Sequence, residues 1–436
     1  MISQVRDKAN TVWMHAIVTF RTPLLRNGYA LLLGSFTTST LGFLYWALAA
    51  RFYDPGAVGL NSAGLSAMLF LSGVTQLSLS GVLVRFISQA GAKTNRLVGV
   101  SYLVSMLLVV PVCVIFYIGL DWWAPSLRFF LDSPFKLVLF IIATMSWSIF
   151  ALQDSALTGL RQAIWVPLEN TLYALAKIGL LFVFAALIPR YGVLVSWNIP
   201  VVLLILPVNL LIFARLIPKQ NLNRTGIETT QLFRPVLQYI GGNYLGSLFF
   251  LAYTTLLPIL VTEIAGSSAN AYFYLPWIIM NSLLLVSTNM TMSLTVEAAR
   301  EQDRMDAYGR HIMAHTLKLL GPIILLVLLG APYILQLFGK NYAAGGVTLL
   351  RLLALSLLPH MIISLYISLA RVKNRARGIL FTQAVLCFLV LSLSYLLLPV
   401  FGIAGVGIAW LTSYSLVAGF LLATQLRTIL KTGRPG

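Results

Sequence analysis

Apolar runs of about twenty residues, separated by short polar stretches, recur along this chain from residue 27 to residue 428. A run of that length crosses the hydrocarbon core of a bilayer as a helix, the one open-ended structure whose backbone hydrogen bonds all close internally. The pattern predicts twelve transmembrane helices, over 27–50, 58–87, 97–120, 137–157, 164–188, 193–215, 236–261, 269–297, 311–336, 346–370, 378–400 and 403–428. No connection between them is long enough to be a soluble domain. The longest outside loop, 121–136, carries Trp122 and Trp123, which suit a membrane interface.

Charge gives the runs a direction. Of the Lys and Arg residues, 21 fall at the N- and C-terminal ends and in every second loop, whereas the other loops hold only Arg51, Arg128, Lys136, Arg190 and Lys340. Cytoplasmic loops retain positive charge, so both termini are expected in the cytoplasm and the number of crossings is even. The net charge of +18 is then a product of topology and of attraction to anionic headgroups, and no nucleic-acid partner is expected. Composition agrees, with 59% hydrophobic and 10% charged residues, against roughly half and a quarter in a soluble domain. Cys113 and Cys387 both stand in apolar stretches, so neither a disulfide framework nor a metal site is expected. Near the N-terminus Trp13, Ile17 and Phe20 recur at helical spacing and predict a short helix on the cytoplasmic surface; no cleavable leader is read there.

The two halves of the chain echo each other. At an offset of 210, Pro189 and Gly192 correspond to Pro399 and Gly402, and Arg161 to Arg371; at 212, Asp54 corresponds to Gly266 and Arg85 to Glu297. Two six-helix lobes are therefore expected, 1–217 with its interfacial helix and 218–436. An even crossing number makes the repeats parallel, related by a pseudo-twofold axis along the membrane normal, with a cleft between them. Pro111, Pro200, Pro207, Pro258, Pro276, Pro322 and Pro359 fall inside the apolar runs, where membrane helices tolerate proline.

Ionisable groups inside a span are costly against lipid and normally face an interior or a wet cavity. Four basic residues, Arg85, Lys177, Lys318 and Arg351, fall within predicted helices, with Asp154, Glu169 and Glu297 as the candidate acids. Asn170, Tyr173 and Lys177 share one helix face, as do His311, His315 and Lys318; Asn289 belongs to a polar stripe that ends at Glu297, and His360 sits mid-helix. Snorkelling to the interface is the competing reading for Arg85, Glu297, Lys318 and Arg351. Lys177, 15 residues beyond Gln162, lies about 22 Å along its helix and is too deep for that; a structural pairing with a carboxylate of a neighbouring helix is its alternative. Arg85, Lys177, Lys318, Arg351, Asn170, Tyr173 and Asn289 are the expected lining of a cavity, neutral to positive, that favours an anionic and hydroxyl-rich cargo. His311 and His315 lack a third ligand, and no nucleophile elbow, phosphate-binding glycine loop or paired-acid motif is present. Neither metal, cofactor nor catalysis is expected.

Beyond these physical readings, Arg51-Phe-Tyr-Asp-Pro-Gly-Ala-Val-Gly59 after the first helix, Leu337-Phe-Gly-Lys-Asn-Tyr342 with Leu350-Arg-Leu-Leu-Ala-Leu355, and the paired Pro-x-x-Gly sites resemble the polysaccharide or O-antigen flippases. These belong to the multidrug/oligosaccharidyl-lipid/polysaccharide exporter superfamily. The resemblance implies a transporter of the inner membrane that carries an undecaprenyl-pyrophosphate-linked oligosaccharide to the outer leaflet for lipopolysaccharide assembly. It also implies a coupling ion, H+ or Na+, and association with polymerase machinery. Asp154, Glu297, His315 and His360 are the candidates for coupling. The alternatives are a cation-coupled multidrug exporter on the same fold and, against the short outer loops, a membrane O-antigen ligase or polymerase.

Overall fold

A computed structural model describes residues 23–130, 132–221, 229–298, 305–373 and 375–424. The predicted interfacial helix around Trp13 to Phe20 lies outside these residues. Among the described residues there is no strand. The long helices are α1 (Pro23–Phe52), α2 (Pro55–Thr75), α3 (Leu79–Ala90), α4 (Thr94–Ile118), α5 (Pro134–Gly159), α6 (Trp165–Leu187) and α7 (Gly192–Leu211). They continue as α8 (Thr229–Thr255), α9 (Leu257–Ala265), α10 (Ser267–Ala298), α11 (Met305–Gln336), α12 (Lys340–Val372), α13 (Ala376–Phe401) and α14 (Ile403–Thr424).

Ten helical stretches among the described residues are long and apolar enough to cross a membrane, and α1 and α10 are besides 30 and 32 residues long. The chain is a multi-pass membrane protein. Its outward faces are apolar: Leu107, Ile118, Leu203, Leu206, Leu326 and Phe388 are each more than 60% exposed, as helices bathed in acyl chains require. Polar side chains turn inward instead, and Ser72, Ser105, Thr144, Ser148, Gln153 and Ser394 are fully or almost fully buried.

Two of the predicted crossings are broken. The run 58–87 becomes α2 and α3, because Leu77 (φ 47°) and Ser78 (φ 61°) adopt the left-handed conformation, which a right-handed helix cannot contain. Neither Gly nor Pro marks the site. A polar knot holds it: Gln76 Nε2 donates to Ser72 Oγ (3.1 Å), Ser80 Oγ donates to Gln76 Oε1 (3.0 Å), and Ser72 and Ser148 share a hydroxyl contact of 2.9 Å. Such side chains offer the backbone alternatives to helical bonding. The run 236–261 likewise divides at Leu256, just before Pro258. Pro111, Pro200, Pro207, Pro276, Pro322 and Pro359 are by contrast carried inside continuous helices.

Helix α2 packs against α8, α9 and α10, and α3 packs against α8, so these elements join the first part of the chain to the second. At the end that carries Arg51, Arg190 and Lys340 the junction is closed. Asn270 Nδ2 donates to the Gly59 carbonyl (2.7 Å) and to Ser62 Oγ (3.1 Å). Ser126 donates from its backbone N (2.9 Å) and its hydroxyl (3.0 Å) to the Glu263 carboxylate, Arg51 Nε donates to the Leu337 carbonyl (3.1 Å), and Trp46 meets Tyr274 edge to face. A Cβ on Gly59 would run into the Ser267 carbonyl, so the absent side chain is what lets α2 and α10 touch.

Candidate functional site

At the opposite end α2 and α3 still touch α8, where Phe86 meets Tyr239 edge to face, and open space lies between them and α12 and α13. A basin of about 650 Å³ opens between α2 and α3 on one side and α8, α12 and α13 on the other. It is lined by Arg85, Arg371 and Arg375, with Gln76, Ser78, Ser80, Tyr239, Tyr244 and Ser247 between them, and no described lining residue is acidic. The break after α2 is what brings Ser78 and Ser80 to the wall and turns α3 so that Arg85 reaches the cavity. Its guanidinium lies 5.6 Å from the Tyr239 ring centroid, a cation–π distance that leaves the N–H groups for an anion. Tyr244 is fixed by its hydroxyl, which donates to the Val74 carbonyl (3.0 Å). Three guanidiniums beside hydroxyl-bearing side chains give the basin a donor set that can meet phosphate oxygens, which Arg contacts two at a time.

A smaller chamber of about 190 Å³ leads off the basin into the second half of the chain and shares Ser247, Phe250, Arg371, Ala376 and Ile379 with it. Its inner wall carries His360, Tyr253, Gln383 and Tyr414. Tyr253 donates to Gln383 Oε1 (3.1 Å) and its oxygen stands 3.0 Å from that of Tyr414. Neither Asp nor Glu is among its described lining residues.

The residues expected from sequence divide three ways. Arg85 lines the basin and His360 the chamber. Lys177 and Tyr173 are instead buried inside the first half, 4% and 5% exposed. The Lys177 ammonium stands 3.8 Å from the Trp197 centroid, 4.7 Å from Tyr173 and 4.8 Å from Tyr45, an aromatic cage in which it pairs with no carboxylate among the described residues. The reading that Lys177 lies too deep to snorkel agrees with this; the reading that it meets cargo in the basin does not, because its helix face turns toward α1 and α7. Lys318, His315 and Arg351 are exposed on α11 and α12, and Arg351 Nε donates to the Leu328 carbonyl (2.9 Å). The four intrahelical cations therefore do not share one path in this conformation. The side chains of Asn289 and Glu297 lie outside the described residues.

Asn170 turns to Asp154, donating to both carboxylate oxygens (3.0 and 3.2 Å). Beside them Glu169 is 3% exposed, and neither of its oxygens has a hydrogen-bond partner. Sequence reasoning missed Arg371, Arg375, Tyr239 and Gln383. The two arginines were absorbed into the loop count that set topology, although Arg371-Val-Lys-Asn-Arg375-Ala-Arg377 is a dense basic cluster whose excess was a usable signal.

The fold has solved counterparts. An inward-facing MATE family multidrug resistance transporter of the MOP superfamily superposes with a TM-score of 0.65 at 15% identity, covering 96% of this chain and 100% of that one. The lipid II flippase MurJ, in an inward closed conformation, gives 0.65 at 12% identity over 91% and 88% of the two chains. A MOP superfamily transporter from Pyrococcus furiosus, described as having a binding pocket of reverse polarity, gives 0.64 at 14% identity over 95% and 98%. No curated protein sequence matches. A family model described as polysaccharide biosynthesis protein matches residues 24–294, well over half of the sequence. With a basic basin at one end of a helical fold that superposes on MOP superfamily transporters, and with the family model matching well over half of it, this chain belongs to the polysaccharide biosynthesis protein family.

Proposed function

We propose that the protein is a flippase that moves an undecaprenyl-pyrophosphate-linked oligosaccharide from the cytoplasmic to the outer leaflet of the cytoplasmic membrane by alternating access. The observation that carries this reading is the basin itself, with Arg85, Arg371 and Arg375 and no described acid. Diphosphate is the anionic group of such a lipid, and guanidiniums in a partly desolvated cleft bind it at modest cost. The glycan accompanies the diphosphate through the cleft while the isoprenoid tail stays in lipid. The flippase activity named for MurJ and the reversed pocket polarity named for the Pyrococcus transporter support an anionic lipid-linked cargo on this fold.

Two six-helix lobes, 1–217 and 218–436, would provide the moving parts. In support, α2 and α10 begin at Pro55 and Ser267, the offset of 212 already present in the sequence. With the basic end in the cytoplasm, the conformation described above is the inward-open one, and rocking of the lobes about α2 and α10 exposes the basin outside. Asp154 with Glu169 are the groups we assign to coupling by H+ or Na+. Multidrug export, the activity named for the MATE counterparts, fits the basin less well, since organic cations would meet three guanidiniums.

Deletion of the gene tests the proposal. Lipid extracts of the deleted strain should contain an accumulated diphosphate-linked oligosaccharide that an impermeant periodate-type oxidant, applied to intact cells, leaves untouched. Accumulation of the lipid in oxidant-accessible form, or unchanged lipid with raised drug sensitivity, would reject it.

A further inference from the structure

The chamber beyond the basin differs from it in chemistry. The basin is ringed by guanidiniums, whereas the chamber wall beyond Arg371 is uncharged polar and aromatic: His360, Gln383, Ser364 and Ser368 between the rings of Tyr253 and Tyr414. One of its polar atoms is left over, on a wall where Tyr253 donates to Gln383 Oε1. His360 is 7% exposed and its Nδ1 is buried without a hydrogen bond, although the ring stacks at a tilt 5.7 Å from Tyr414. A buried polar atom left unpaired is costly, and a native site that keeps one normally offers it to a ligand or an ordered water.

We propose that this chamber is a carbohydrate subsite that receives the first sugar ring of the cargo while Arg371, at the shared mouth, engages the adjoining phosphate. The inference rests on the flippase reading and adds to it the place and chemistry of sugar recognition. Hydroxyl groups, unlike phosphates, need donors and acceptors without net charge, which Gln383, His360 and Ser368 supply, and the apolar face of a pyranose packs on an aromatic ring such as Tyr414. Size sets the limit. The chamber's volume of about 190 Å³, against about 650 Å³ for the basin, suits one monosaccharide ring. Later sugars must therefore stay in the basin, so the chamber reads the sugar at the diphosphate and not the glycan as a whole.

The test compares two probes on the full chain in lipid nanodiscs: a short-chain isoprenyl diphosphate, and the same lipid bearing one N-acetylhexosamine on its diphosphate. Wild-type protein should bind the sugar-bearing probe about tenfold more tightly, the factor expected for one or two well-made hydrogen bonds. Gln383→Leu should erase that preference and leave the affinity for the bare diphosphate unchanged. Because Gln383 also anchors Tyr253, Ser368→Val provides a second reading: it fills the chamber with methyl groups and leaves that contact intact, and it should erase the preference equally. Equal wild-type affinity for the two probes, or a preference that survives both substitutions, overturns the subsite and leaves the diphosphate reading standing. Failure of wild type to bind either probe removes the flippase reading and the subsite together. A preference that disappears only on changing pH, with both variants like wild type, would make His360 a proton site and the chamber no carbohydrate site.

Discussion

At the residue scale, what distinguishes this membrane protein is which of its interior charges are accessible. Arg85, Arg371 and Arg375 are exposed in the basin, and each is expected to donate charge-assisted bonds to a phosphate, worth about 1.5 to 3 kcal/mol apiece. Arg375→Gln or Arg85→Gln should therefore weaken binding of a diphosphate lipid roughly tenfold or more, with little change in thermal stability, as read by titration and by melting in detergent. Lys177→Met should do the opposite. Its ammonium is sealed among Trp197, Tyr173 and Tyr45, so basin affinity should be unchanged and the effect should fall on the melting temperature. A Lys177→Met protein with normal stability that no longer binds the lipid would return Lys177 to the cargo path. Glu169 offers a third contrast. Its two side-chain oxygens are buried without a hydrogen-bond partner beside Asp154, an arrangement that costs stability, so Glu169→Met, which removes both polar atoms, should raise the melting temperature. A lower melting temperature would mean that Glu169 holds a structural bond.

At the scale of elements, the helices were legible in the sequence because twenty apolar residues have few other fates, and the boundaries of α4, α6, α13 and α14 follow the predicted runs closely. The break between α2 and α3 was not legible. Leu77 and Ser78 are ordinary helix-compatible residues, and what forces them left-handed is a hydroxyl and amide knot that includes Ser148 of α5, more than 70 residues away. Nor could the sequence say whether α6 meets the basin, since Lys177 fits a wet cleft and an aromatic cage equally well by spacing alone. The break makes its own prediction: Ser78→Gly removes a Cβ from a left-handed position and should be neutral or stabilise by about 1 kcal/mol, whereas Ser78→Val should be clearly destabilising. Thermal unfolding of the two variants decides it. At the closed end the contact of α2 with α10 depends on Gly59. In a protein lacking Cys113 and Cys387, Ala271→Cys should resist an impermeant thiol reagent, and adding Gly59→Ala should make it react by forcing the junction apart. Unchanged protection would show that the junction does not depend on that close approach.

For the whole molecule, three features that could have been independent coincide: the sign of the loops, the closed end opposite the basin, and the chemistry of the space between. The basic end is also the end at which the basin opens, so cargo would enter from the side where the charge lies. From the sequence a cationic, hydroxyl-tolerant cleft was expected; of the four intrahelical cations named for it only Arg85 lines the basin, whose other cations are Arg371 and Arg375 at the ends of α12 and α13. The most direct test is transport itself. Purified protein in liposomes should move a fluorescent isoprenyl-diphosphate oligosaccharide between leaflets, scored by its loss of accessibility to an impermeant quencher. The combined Arg85→Gln, Arg371→Gln and Arg375→Gln protein, folded by its melting curve, should do so at the rate of empty liposomes. Movement by this triple variant at the wild-type rate would contradict the account.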